Sequence, residues 1–167
     1  MPITVANFLR YVAGGFFSSG QFWRTVRLDN QPNVPVKIEV VQADVNPARK
    51  GDLFKPIALE RTRDTGLQHI DGTFSMSRFA PDSATLSFFI CLGDQPELDF
   101  GGARNPDGQG FAAFGQVHSG IDVVRAIQRS PCSLSGGVAE AGYAQIEFQR
   151  LTPPIEINGI WRYAAMT

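Results

Sequence analysis

Cysteine and histidine are scarce in this 167-residue chain, with two of each. Cys91 and Cys132 make no disulfide framework and are not spaced as metal ligands. Cys91 also falls inside the apolar run Phe88-Phe89-Ile90-Cys91-Leu92, the setting of an inert buried thiol. His69 and His118 stand apart from each other and from both cysteines, so no metal site is expected, and no nucleophile motif supports a Ser-His-Asp reading. Charge of either sign is sparse as well. Charged residues are 19% of the chain, and 15 Lys plus Arg balance 16 Asp plus Glu. That balance removes the electrostatic case for nucleic acid or an anionic membrane surface as partner. No apolar run approaches the roughly 20 residues that span a bilayer. The opening Met1–Val12 has neither a basic leader nor a clean apolar stretch, so it does not read as a secretory signal. The location expected from this chain is cytoplasmic, or periplasmic if a signal peptide lies upstream.

What is present is aromatic and rich in turns: 13 Phe, 17 Gly and 11 Pro, with 43% hydrophobic residues. Disorder is excluded by that hydrophobic content, and the length suits one domain over residues 1–167. The first segment reads as an amphipathic helix with Thr4 as N-cap and Val5, Phe8, Leu9 and Val12 at helical spacing, ended by Gly14-Gly15. A second helix is expected over 120–129, where Ile121, Val124 and Ile127 recur and Pro131 blocks continuation. Strand-like runs rich in Phe, Val and Ile cover 21–28, 36–42, 73–77, 84–92, 111–117 and 145–150. Residues 95–110 read as an ordered surface loop with a turn at Asn105-Pro106-Asp107-Gly108. That turn is not a calcium loop, because Ala103 and Phe114 stand where an EF-hand needs carboxylates. Many short strands with two helices imply a mainly β, antiparallel barrel or sandwich.

Seven segments, in order, carry something more specific. They are Thr4-Val5-Ala6-Asn7-Phe8, Phe22-Trp23-Arg24, Val41-Gln42, Gly72-Thr73-Phe74-Ser75-Met76-Ser77, Ser87-Phe88-Phe89-Ile90, Leu98-Asp99 and Phe114-Gly115-Gln116-Val117. Together they resemble the cyclophilin family of peptidyl-prolyl cis–trans isomerases, most strongly over residues 4–128. The resemblance implies a closed, eight-stranded antiparallel β-barrel capped by two short α-helices, with no cofactor. It also places two strands ahead of the first helix. Either the chain is a fragment with a late start, or another segment closes the barrel, and the extension over 151–167, with Ile155–Trp161, is the candidate.

Rotation about a prolyl bond faces a barrier of about 18–20 kcal/mol, because twisting breaks amide resonance. The twisted nitrogen becomes pyramidal and gains a lone pair. A catalyst therefore needs an apolar pocket for the ring, a donor for that nitrogen and groups that hold the flanking backbone. By the resemblance, Arg24 is the catalytic residue, since Phe22-Trp23-Arg24 matches the family's Phe-His-Arg strand. Phe89 is the floor of the proline pocket, with Leu98 and Met76 as walls, and Gln42 matches a glutamine that holds substrate backbone and supports the arginine. Ser77, Ser87 and Phe111 are further substrate-binding positions, at which this chain departs from the family's usual residues. Glu39 and Val40 replace a Phe and a Met of the pocket wall, and Glu97 replaces an aromatic that contacts cyclosporin, so weak binding of that drug is expected. The expected partner is a proline-containing peptide or unfolded segment. The alternative to an isomerase is a non-catalytic module that binds proline peptides in the same groove. Oligomeric state is not legible.

Overall fold

The computed structural model describes residues 2–32, 34–133 and 148–163. Three helices and six strands run in the order α1 (Pro2–Ala13), β1 (Gly20–Val26), β2 (Val40–Asp44), α2 (Thr62–Thr65), β3 (Thr73–Met76), β4 (Phe88–Cys91), β5 (Ala112–Gln116), α3 (Ile121–Gln128) and β6 (Arg150–Ile157). The strands form one antiparallel sheet in the order β5-β3-β4-β2-β1-β6. Among the described residues the sheet has six strands rather than the eight implied by the family resemblance. Its outer strands are β5 and β6, and β6 carries Pro153 and Pro154, residues that an outer strand tolerates because they offer no N–H.

Alternation along each strand sorts the side chains onto two faces. Phe22, Ala43, Phe88 and Met76 are successive register partners, as are Val41, Ile90 and Phe74. All seven belong to the larger hydrophobic core or pack on it. Phe88 is its hub, with the rings of Phe8, Phe17, Phe22 and Phe74 at 5.4–6.3 Å in their contacts with it or each other. The opposite face carries Arg24, Gln42, Phe89 and Ser75 as successive partners. There a smaller cluster gathers Val26, Ile38, Val40, Phe89, Cys91 and Leu98, with Phe111 packed against it.

Several boundaries differ from the sequence reading, each for a local reason. Thr4 is not an N-cap, because α1 begins at Pro2 and Glu60 satisfies its free N–H groups. The Glu60 carboxylate accepts from Thr4 N at 2.8 Å and Thr4 Oγ1 at 2.7 Å. The face of α1 that is fully buried is Thr4, Asn7 and Tyr11, with Phe8 and Val12 packing beside it. Residues 36–39 do not continue β2. Side chains take the place of a strand partner there: the Gln31 amide bonds Ile38 N and Ile38 O, and Arg104 donates to Val36 O. The run at 84–92 is a strand only over Phe88–Cys91, and Ala84 makes a lone bridge to Ile57. The last strand begins at Arg150 and reaches Ile157, so Ile155–Ile157 of the tail pair with β1, while 145–147 lie outside the described residues. The helix over 120–129 forms as Ile121–Gln128, and the 105–108 turn closes through Gly108 N to Asn105 O at 2.9 Å.

Candidate active site

A bulge in β1 decides where Arg24 points. Phe22 pairs with Ala43 and Arg24 pairs with Gln42, so Trp23 is one extra residue opposite nothing. Without it Phe22 and Arg24, two apart, would share a face. With it Phe22 stays on the Phe88 core while Arg24 turns to the other side, the re-aiming that bulges perform.

On that side Arg24 is fixed by amides. Its Nε and Nη2 donate to Gln149 Oε1 at 2.9 and 2.7 Å, and Nη1 donates to Gln42 Oε1 at 2.9 Å. Each amide is anchored in turn. Gln149 Nε2 donates to Asn30 O at 3.0 Å, and Gln42 Nε2 donates to Ser87 Oγ at 2.9 Å and Ser77 Oγ at 3.1 Å. The result is a continuous polar chain from Gln149 through Arg24 and Gln42 to the two serines. Arg24, Gln42, Ser77 and Ser87 all line an open cleft of about 710 Å³. Fixing a long arginine in advance removes rotamer freedom that substrate binding would otherwise have to remove.

The apolar half of the expected site abuts this chain at Gln42, whose register partner is Phe89. Phe89, Leu98 and Phe111 pack in the smaller cluster, with Phe111 edge-on to Phe89 at 5.5 Å. Phe89 is 5% exposed and Leu98 1%, whereas Phe111 is half-buried and is the outermost of the three. Val40 lies in the same cluster, while Glu39 turns away to accept from Gln128. Met76 is a correction. It pairs with Phe88 on the core face and is 1% exposed, so it is not a wall of this pocket. Alternation already implied as much, since Met76 sits between Ser75 and Ser77 in the sequence.

Three features escaped the sequence reading. Gln149 is the first, a residue 125 positions from the arginine it holds, with no motif to flag it. Second, Arg78 is buried and clamps the 99–110 loop. It makes a two-pronged pair with Asp107 at 2.7 and 2.9 Å and donates to Gly110 O, with its guanidinium 5.0 Å from the Phe111 ring. The Arg78 hydrogen bonds hold the Asp107 carboxyl below the usual range.

The third is a Ser-His-Asp arrangement, although no sequence motif pairs His69 with a partner. His69 Nδ1 lies 2.7 Å from Asp99 Oδ1 and Nε2 lies 2.8 Å from Ser75 Oγ. A carboxylate only accepts, so Nδ1 carries the proton and Nε2 accepts from the serine hydroxyl. Burial lowers the His69 pKa, against the raising effect of Asp99, and this keeps the ring neutral. Ser75 is 0% exposed, so its hydroxyl reaches no substrate carbonyl and the constellation is not hydrolytic. Its visible role is support, since the His69 ring stacks on Phe89 at 6.1 Å.

Comparison with known proteins bears on the family and the fold. The family model described as cyclophilin type peptidyl-prolyl cis-trans isomerase/CLD matches residues 1–155. Peptidyl-prolyl cis-trans isomerase B of Escherichia coli is 32% identical over 136 residues, which is 81% of this chain and 76% of that protein. Peptidyl-prolyl cis-trans isomerase A of Dickeya dadantii is 32% identical over 129 residues, covering 77% of this chain and 60% of that longer protein. In fold, the chain is similar to a cyclophilin type peptidyl-prolyl cis-trans isomerase of Cryptosporidium parvum crystallised in the presence of the dipeptide Ala-Pro. That match has a TM-score of 0.58 at 16% identity and covers 93% of this chain and 85% of that one. On the match of the family model and the identity to these relatives, this chain belongs to the cyclophilin-type peptidyl-prolyl cis-trans isomerase family.

Proposed function

We propose that this chain catalyses cis–trans rotation about X-Pro bonds of exposed or unfolded segments, with Arg24 as the residue that stabilises the twisted amide. The observation that carries the reading is the Arg24 guanidinium, held by Gln42 and Gln149 on an open cleft beside the Phe89 cluster. A guanidinium presents its donors in one plane and stays charged at any working pH. It binds the prolyl carbonyl and donates to the nitrogen lone pair that appears only when resonance is broken, so its effect is larger at the transition state than in the ground state. The proline ring seats against Phe89 and Leu98 with Phe111 turning aside, since Phe111 is the half-buried member of the three. Gln42 positions Arg24 while Ser77 and Ser87 hold the far end of its amide. No nucleophile and no proton transfer is needed.

Acceleration from tens of seconds to milliseconds requires roughly 10⁴-fold, or about 5–6 kcal/mol. One preorganised donor supplies about 3–4 kcal/mol, and preferential binding of the twisted, desolvated amide supplies the rest. Glu39, Ser87 and Phe111, three groove positions at which this chain departs from the family's usual residues, support a second reading, a groove that binds proline peptides without turning them. Magnetisation-exchange NMR on an Ala-Pro peptide separates the two. The isomerase reading expects cis and trans signals to exchange at catalytic amounts of protein. Saturable binding with no exchange would leave only the binding module.

A further inference from the structure

The cleft around Arg24 is electrically lopsided. Its lining holds four cations, Arg24, Lys50, Arg78 and Arg150, and one acid, Asp44. Arg24 is held by Gln42 and Gln149, and two more of the cations are paired with acids. Lys50 pairs with Asp44 at 2.9 Å and Arg78 with Asp107 at 2.7 Å. Arg150 is different. It is exposed at the start of β6, it is the direct register partner of Arg24, and among the described residues its guanidinium makes no hydrogen bond or ion pair. Its guanidinium lies over the Trp23 ring, 5.4 Å from the ring centroid.

An arginine laid on an indole keeps its in-plane donors pointing outward while the ring limits its rotamers. That is the geometry that receives a carboxylate or phosphate with two parallel hydrogen bonds. Two guanidinium groups at directly opposed sheet positions also repel, and an anion beside them relieves that repulsion. The cleft lining also includes the apolar residues Leu53, Phe79, Leu86 and Pro154. We propose that Arg150, seated on Trp23, forms a subsite beside the catalytic arginine for an acidic side chain flanking the proline of an extended peptide. The subsite makes this chain selective for anionic X-Pro segments. It rests on the isomerase reading above only for where the proline sits. The anion is a carboxylate or a phosphorylated side chain, and the peptides below distinguish the two.

The test is a set of alanine-based peptides with one proline, carrying Glu, phosphoserine, Gln or Lys at each of the three positions on either side. Exchange NMR gives kcat and KM for each, and calorimetry gives Kd. At one position the Glu or phosphoserine peptide is favoured over its Gln counterpart by about fivefold, carried by KM rather than kcat and reduced by added salt. The larger of the two ratios names the source of the anion. Arg150→Gln brings the ratio towards one, and Arg150→Glu reverses it in favour of Lys. Equal handling of Glu, phosphoserine and Gln at every position overturns the subsite while leaving the isomerase reading intact. A preference that survives in Arg150→Gln overturns it too. If no peptide is isomerised at all, the isomerase reading fails, and the same ratios taken from Kd still decide the subsite.

Discussion

The two faces of the sheet are built from the same strands and do opposite things. On one face Phe22, Phe74, Met76 and Phe88 meet Phe8 and Phe17, and nearly every contact is carbon on carbon. On the other face a row of register partners runs Arg24, Gln42, Phe89, Ser75, so one aromatic ring sits among polar side chains of neighbouring strands. Packing alone explains the first face. The second contains long side chains held by hydrogen bonds over large sequence separations, an arrangement that contributes little stability for the order it imposes. On the proposed reading, the difference means that stability and catalysis are alterable separately in this molecule, although Phe88 and Phe89 are adjacent residues.

The comparison breaks most visibly at that adjacent pair. Phe88→Ala removes the hub of the core and should lower unfolding free energy by about 3–5 kcal/mol, read from a urea titration. Phe89→Leu keeps most of the buried volume and should cost under about 1.5 kcal/mol while reducing isomerisation of an Ala-Pro peptide markedly. Equal effects of the two substitutions on activity at matched folded fraction would erase the distinction between the faces.

Gln42→Ala sharpens it further. The change leaves Arg24 Nη1 and two serine hydroxyls without their amide, so about 1 kcal/mol of stability is lost. Catalysis falls more, on the order of tenfold, because the arginine is no longer fixed.

Acid should weaken the second face before the first. The folded-state pKa of His69 lies below its ordinary 6.5, so as pH falls the unfolded chain takes up that proton first. The stabilisation from the neutral ring is complete above about pH 6.5 and declines as pH drops towards the folded value. The urea midpoint of the wild type should therefore fall below that pH, with a shallower fall in His69→Gln. An unchanged slope in the variant would contradict the assignment. The smallest effect on activity belongs to Glu60→Ala, which uncaps α1 and should cost about 0.5–2 kcal/mol of stability with no change in isomerisation.

How much of this the sequence showed depends on the range of the interaction. The second long helix, the short strands, the 105–108 turn and the row of Arg24, Gln42 and Phe89 follow from local patterns and ordered motifs. The bulge at Trp23 does not, since a two-against-one pairing depends on a partner strand that the local sequence does not specify. Gln149 and Glu60 were equally silent, being 125 and 56 residues from what they bind. Met76 was readable by alternation but was drawn to the pocket by its place in a family segment. The His69 constellation illustrates the opposite risk, because its geometry resembles a hydrolytic site and only the burial of Ser75 shows that it is not one.

The central claim is that the fixed guanidinium of Arg24 lowers the barrier to prolyl rotation without being needed for the fold. Protease-coupled isomerisation of an Ala-Pro peptide by wild type and Arg24→Ala, each paired with a thermal melt, tests it directly. The account predicts a fall of about 10²–10³-fold in kcat/KM, with a cooperative melt retained. Wild-type activity in a folded Arg24→Ala protein would contradict it.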